Sequence, residues 1–195
     1  MPRPIEALVH QGALAANLDV ARRAADGAKV WAVVKADAYG HGIANVFAAL
    51  SRADGFALLD IAEAERLREL GWRGPILLLE GCFDARDLEA CSRLKLWHVV
   101  HSSAQIDMLA AHKTERPHHV FLKMNSGMNR LGFRPDAYRS AWLRLSGLTQ
   151  VDAITLMTHL ADADGDGPGA GPVAAQLAAF DAATAELPGD RTLAN

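Results

Sequence analysis

The chain has 195 residues, half of them hydrophobic, with 6% aromatics, 20 basic against 23 acidic side chains and a formal net charge of −3. That length and apolar content support a packed globular core and exclude a disordered chain. No basic run marks a nucleic-acid or membrane surface, two cysteines are too few for a secreted disulfide scaffold, and no stretch approaches the roughly 18 apolar residues of a spanning helix. The N-terminus, Met1-Pro2-Arg3-Pro4-Ile5, lacks an apolar signal segment, so a cytoplasmic protein acting on a small molecule is expected.

Hydrophobic patterning predicts a strand near Ile5–His10 and a helix over Ala13–Ala25. A buried strand Val30–Val34 follows, then a helix near Ile43–Ser51. Gly55–Leu58 reads as a short strand and Ile61–Leu70 as a charged helix, with Glu63, Glu65, Arg66, Arg68 and Glu69 on a solvated face. Ile76–Leu79 and Ala85–Arg93 form the next strand and helix, and Leu96–Val100 and Ile106–Ala111 another pair. Val120–Lys123 is a strand, Asp136–Leu145 a helix and Val151–Thr158 a β-branched strand. Pro172–Glu186 reads as a helix with proline at its first turn, and Thr192–Asn195 as a strand. Asp162–Gly171, rich in Asp and Gly, is expected to be a mobile loop.

Strands alternating with helices at this spacing imply parallel βαβ units. The fold class is therefore α/β, a TIM-type (β/α)8 barrel left incomplete. About six units and the start of a seventh strand can be counted in residues 1–195, taken as one domain. A full barrel needs roughly 250 residues.

Three segments are expected at the C-terminal ends of strands, the functional face of such a barrel. The first is Val33-Val34-Lys35-Ala36-Asp37-Ala38-Tyr39-Gly40-His41-Gly42. The second is Lys123-Met124-Asn125-Ser126-Gly127-Met128-Asn129-Arg130-Leu131-Gly132-Phe133, and the third is Met157-Thr158-His159-Leu160-Ala161-Asp162-Ala163-Asp164. Lys35, at the end of an apolar run, has the setting in which an amine becomes a nucleophile for Schiff-base chemistry. Arg130 carries the forked donors that suit a carboxylate. By themselves Lys35 and Arg130 would be ordinary surface cations, and Tyr39 and His159 packing residues. The histidines His98, His101, His112, His118 and His119 fit no compact zinc spacing, so no metal site is predicted and core or solvated roles are expected. Cys82 and Cys91 are expected to be small reduced core residues, and Met124 and Met128 gap-fillers.

All three segments, in order, resemble the blocks of the alanine racemase family, whose members use pyridoxal phosphate (PLP). Leu193-Ala194-Asn195 resembles the start of that family's Leu-Ala-Asn-Ser segment. The resemblance runs through the whole chain. It implies that Lys35 is the lysine bonded to PLP and one catalytic base, and that Tyr39 hydrogen-bonds the phosphate. It also implies that His159 helps position the pyridine ring and that Arg130 holds the substrate carboxylate. Lys123 matches a lysine often carried as a carbamate that orients the arginine. Asp37, where many relatives have Asn, is expected to be tolerated. The implied reaction is interconversion of L- and D-alanine in a bacterial cytoplasm, supplying cell-wall synthesis or D-alanine catabolism.

Racemisation needs bases on both faces of the cofactor. In the family the second base is a tyrosine from a C-terminal β domain, contributed by the other subunit of a homodimer. That domain, and the arginine facing the pyridine nitrogen, have no counterpart here. The expectation is a truncated N-terminal portion without turnover of its own. A non-catalytic PLP-binding barrel protein, or a racemase for serine or another amino acid, are the alternatives.

Overall fold

A computed structural model describes residues 3–114, 116–164 and 171–194. The chain divides into two compact units, Met1–Leu77 and Leu78–Asn195. Among the described residues seven strands are hydrogen-bonded in chain order, and the β1–β2, β4–β5, β5–β6 and β6–β7 pairs run parallel. Helices alternate with them throughout. This is the α/β alternation of an incomplete (β/α)8-type barrel.

The first unit holds α1 (Gln11–Ala24), β1 (Trp31–Val33), the short turn α2 (Lys35–Tyr39), α3 (Ile43–Leu50), β2 (Gly55–Leu58) and α4 (Ile61–Glu69). β3 (Ile76–Leu78) runs across its end. β1 and β2 pair in register, with Trp31 opposite Gly55 and Val33 opposite Ala57. The core gathers Leu18, Val34, Val46, Phe56, Leu58 and Leu67, all buried. Phe56 anchors it, with the Trp72 ring edge-on at 4.9 Å, a geometry favoured by the aromatic quadrupole.

The second unit holds α5 (Ala85–Leu94), β4 (Trp97–Val100), α6 (Ser103–Ala111) and β5 (His118–Met124), then α7 (Pro135–Ser146), β6 (Val151–His159), α8 (Gly171–Thr184) and β7 (Arg191–Ala194). Six of the seven β5 residues are buried, as expected of a parallel strand covered on both faces. Tyr138 of α7 is fully buried, and its hydroxyl donates to the Leu122 carbonyl at 2.7 Å, which satisfies the phenol inside the core. Among the described residues no helix is long and apolar enough to cross a membrane. Both cysteines are free and buried.

Several expectations are corrected. Residues 5–10 form no strand. Ile5 and Leu8 are 84% and 70% exposed, so their apolar spacing meets no sheet face in this chain. The solvated face assigned to α4 is also wrong in part. Arg68 turns inward to donate to the carbonyls of Trp72 and Gly74 at 3.0 and 2.8 Å, and Glu63 is taken up by the turn after β1. α6 begins at Ser103, earlier than its apolar pattern suggests, because the Ser102 hydroxyl caps it by accepting the Gln105 amide. α8 stops at Thr184, whose hydroxyl bonds back to the Phe180 carbonyl. Of the expected loop Asp162–Gly171, residues 165–170 lie outside the described residues, as does Asn195.

Candidate functional site

Lys35 leaves the C-terminal end of β1 on a turn wound in the unusual sense. Ala36, Asp37, Ala38 and Tyr39 all have φ between 50° and 56°, and Gly40 follows at φ 81°. Left-handed helical conformation costs an L-residue roughly 1–2 kcal/mol, and four in a row persist only where the surroundings over-determine them. Those surroundings are visible. The Ala38 amide donates to the Val34 carbonyl and the Gly40 amide to the Ala36 carbonyl, each at 2.9 Å, and the Gly42 amide donates to the Asp37 carbonyl at 2.8 Å. The Asp37 carboxylate accepts the Ile43 amide at 2.8 Å, tying the turn to the start of α3. An Asn at position 37 would keep that acceptor. The Asp37 amide donates to Glu63 Oε1 at 2.6 Å. Lys35 is half-buried, with its amine 5.9 Å from the centre of the Tyr39 ring, and Tyr39 itself is 60% exposed.

In the second unit, Lys123 is only 6% exposed near the end of β5. The chain then makes a closed loop and returns, with the Phe133 amide on the Lys123 carbonyl at 2.9 Å and the Asn125 amide on the Phe133 carbonyl at 2.8 Å. Asn125 holds the interior of that loop. Its Oδ1 accepts the Gly127 and Asn129 amides at 3.2 and 2.9 Å, the self-bonding that makes Asn a loop former. Gly132 closes it at φ +123°, where a Cβ would lie 2.6 Å from both the Asn125 nitrogen and the Met124 carbonyl carbon. Arg130 stands exposed on this loop, with no hydrogen-bond or ion-pair partner among the described residues. A guanidinium so placed is available to an anion.

His159 ends β6, half-buried. Beside it the Thr158 hydroxyl lies 2.6 Å from that of Ser126 and donates to the Met124 carbonyl at 3.3 Å, locking the Arg130 loop to β6. Gln176, buried on α8, pins the start of the next loop through both polar atoms, to the Ala161 amide at 2.9 Å and carbonyl at 3.1 Å.

Some participants carried no sequence signal. His101 follows β4 directly, and the β4–β5 register places it beside Lys123. Burial lowers its pKa and the Lys123 charge lowers it further, against its hydrogen bond to the Glu80 backbone. Gln105 ties the same loop together, accepting the His101 amide and donating to the Glu80 and Cys82 carbonyls. His98 and His118, 3.3 Å apart, are core histidines whose pKa values burial pushes down to about 3 and about 4. Among the described residues no group of three or more His, Cys, Asp or Glu side chains could hold a metal. Two buried side-chain atoms there have no partner, Trp142 Nε1 and Glu63 Oε2. Clefts of about 510 and 400 Å³ contain none of the predicted site residues. Their lining includes His112 and Arg116 before β5, and Asp152 and Asp190 where β6 and β7 begin, the strand ends opposite to Lys123 and His159.

Comparison with known proteins gives the family and the fold. Residues 9–195 match the family model for the alanine racemase N-terminal domain. The chain is 69% identical over all 195 residues to an alanine racemase of Polaromonas sp. strain JS666, covering 52% of that protein, and 68% identical to one of Leptothrix cholodnii, again covering 52%. It spans about half the length of the curated relatives it matches. Among solved structures, the biosynthetic alanine racemase from Pseudomonas aeruginosa superposes with a TM-score of 0.87 at 39% identity, over 95% of this chain and 51% of that one. A histidine racemase from Leuconostoc mesenteroides superposes at 0.81 with 26% identity, over 95% and 51%.

Proposed function

The chain belongs to the alanine racemase N-terminal domain family, and from that premise we propose that it is the half of a PLP-dependent alanine racemase that carries the cofactor lysine and the substrate-binding arginine. The carrying observation is the left-handed turn that brings Lys35 off β1, half-buried and beside the Tyr39 ring. The donors fit a phosphorylated aldehyde and an amino acid: an amine, an exposed phenol, a histidine at a strand end and an exposed guanidinium. Bound PLP supplies an electron sink for the carbanion left when the α-proton departs.

In this reading Lys35 is the attachment point and the base on one face of the substrate. Tyr39 would donate a hydrogen bond from its hydroxyl to the cofactor phosphate. His159 would help to position the cofactor's pyridine ring. Arg130 takes the substrate carboxylate through two parallel N–H donors, which sets the α-carbon's orientation. Lys123, buried where β5 runs into the loop that bears Arg130, would orient that guanidinium as a carbamate, whose negative charge accepts the arginine's N–H donors. Exchange of a proton between two faces requires two bases, and among these residues Lys35 alone is assigned as one. The second is proposed to come from the remainder of the longer protein, in a cytoplasmic homodimer that delivers D-alanine to cell-wall synthesis. The chain alone is expected to bind the cofactor without turnover.

A racemase for another amino acid is the second reading, favoured by the likeness to a histidine racemase at a TM-score of 0.81. The test begins with visible absorption of the chain mixed with PLP, alongside Lys35→Ala. A red-shifted band present in the parent and absent in the variant supports the assignment, and identical spectra overturn it. Titrating the band with alanine, serine and histidine then separates the two substrate readings.

A further inference from the structure

We propose that Glu63 is a positioning residue for Lys35, the carboxylate that holds the left-handed turn in place from α4. This inference rests on the reading of Lys35 as the cofactor lysine. The amides of Ala38, Gly40 and Gly42 are satisfied by carbonyls of Val34, Ala36 and Asp37, within or beside the turn. The Asp37 amide is different, because its acceptor comes from another element, Glu63 Oε1 in the first turn of α4 at 2.6 Å. Asp37 in turn grips the Ile43 amide. Glu63 therefore joins α4 to the turn, and Asp37 joins the turn to α3.

Four successive L-residues at positive φ relax unless something outside the turn restrains them. A charged acceptor on a backbone amide is the strong kind of hydrogen bond. The other oxygen, Oε2, is buried with no donor among the described residues. A carboxylate placed for packing or solubility would turn that oxygen to water. Here desolvation of one oxygen is accepted for the sake of the bond made by the other, which marks a side chain whose job is the turn.

The experiment compares the 195-residue chain with Glu63→Ala and Glu63→Gln, the latter retaining an oxygen for the Asp37 amide. Amide exchange is read by NMR, and far-UV circular dichroism reports folding. PLP is trapped on lysine with borohydride, and peptide mapping apportions it among Lys29, Lys35, Lys95, Lys113 and Lys123, the chain's five lysines. Glu63→Ala is expected to speed Asp37 exchange about tenfold or more and to lower the Lys35 share of trapped PLP severalfold, with the dichroism of the parent. Glu63→Gln is expected to restore most of both. A merely structural glutamate would move stability and leave the Lys35 share unchanged.

Asp37 protection that survives in Glu63→Ala overturns the inference, as does an unaltered Lys35 share when protection is lost. If Glu63→Ala fails to fold, Glu63→Gln decides, and a Lys35 share in folded Glu63→Gln as low as chance among the five lysines overturns it. A parent that shows no preference for Lys35 defeats the cofactor assignment instead, and the Asp37 exchange rate then decides separately whether Glu63 holds the turn.

Discussion

Lys35 and Arg130 each follow a strand, yet the chain holds them by opposite means. The Lys35 turn is backbone wound against its preferred hand, restrained by a carboxylate from a helix that begins more than twenty residues later. The Arg130 loop is restrained from inside, by the Asn125 side chain, by a glycine where no Cβ fits and by backbone bonds that return it to Lys123. One site depends on remote tertiary contact and the other is largely self-contained. The difference matches the proposed roles: a lysine that moves protons needs its backbone held in one aim, while an arginine that clamps a carboxylate needs a loop of fixed length and a guanidinium free to close.

The largest expected effect tests the self-contained loop. Gly132→Ala puts a methyl group against Asn125 and Met124 at φ +123°, and should lower stability by about 2–4 kcal/mol, read as the midpoint of urea unfolding. A near-neutral result would mean that the loop is not clamped to β5. Asn125→Ala removes the acceptor of two loop amides and should cost about 1 kcal/mol, with weakened binding of alanine to the PLP-loaded chain and PLP uptake unaltered. Loss of both would erase the proposed division between the two regions. The smallest effect has the opposite sign. Ala36→Gly relieves one left-handed residue, at φ 53°, a gain of about 1–2 kcal/mol reduced by glycine's extra unfolded-state entropy of about 0.5–1 kcal/mol. A net stabilisation of up to about 1.5 kcal/mol is therefore expected. A destabilised Ala36→Gly chain would show that the turn stores no strain.

Most of the alternation was legible in the sequence, because burial imposes a pattern on apolar residues and the strands β2 to β5 are mostly buried. Gly55–Leu58 is a strand at the predicted boundaries, and β1, β3, β4, β6 and β7 fall within two residues of theirs. The proposed site residues were named through motif resemblance, and Lys123 and His159 stand near the ends of β5 and β6. The departures share one cause. Ile5 and Leu8 have a strand's spacing and nothing to pair with. Glu63 and Arg68 have the composition of a wet helix face and spend their polar atoms on backbone elsewhere in the unit. Ala36-Asp37-Ala38 is ordinary right-handed helix former by composition, and no propensity announces that it winds the other way.

The sequence by itself determined the order of strands and helices, the core that joins them and the chemical identity of the amine, phenol, imidazole and guanidinium, since these follow from side-chain polarity and local spacing. Only the tertiary structure decided the hand of the Lys35 turn, the partner of Glu63, the closure of the Arg130 loop and the place of His101 beside Lys123. Each of those depends on which distant backbone group lies within hydrogen-bond reach, and that distance exists only once the chain has folded.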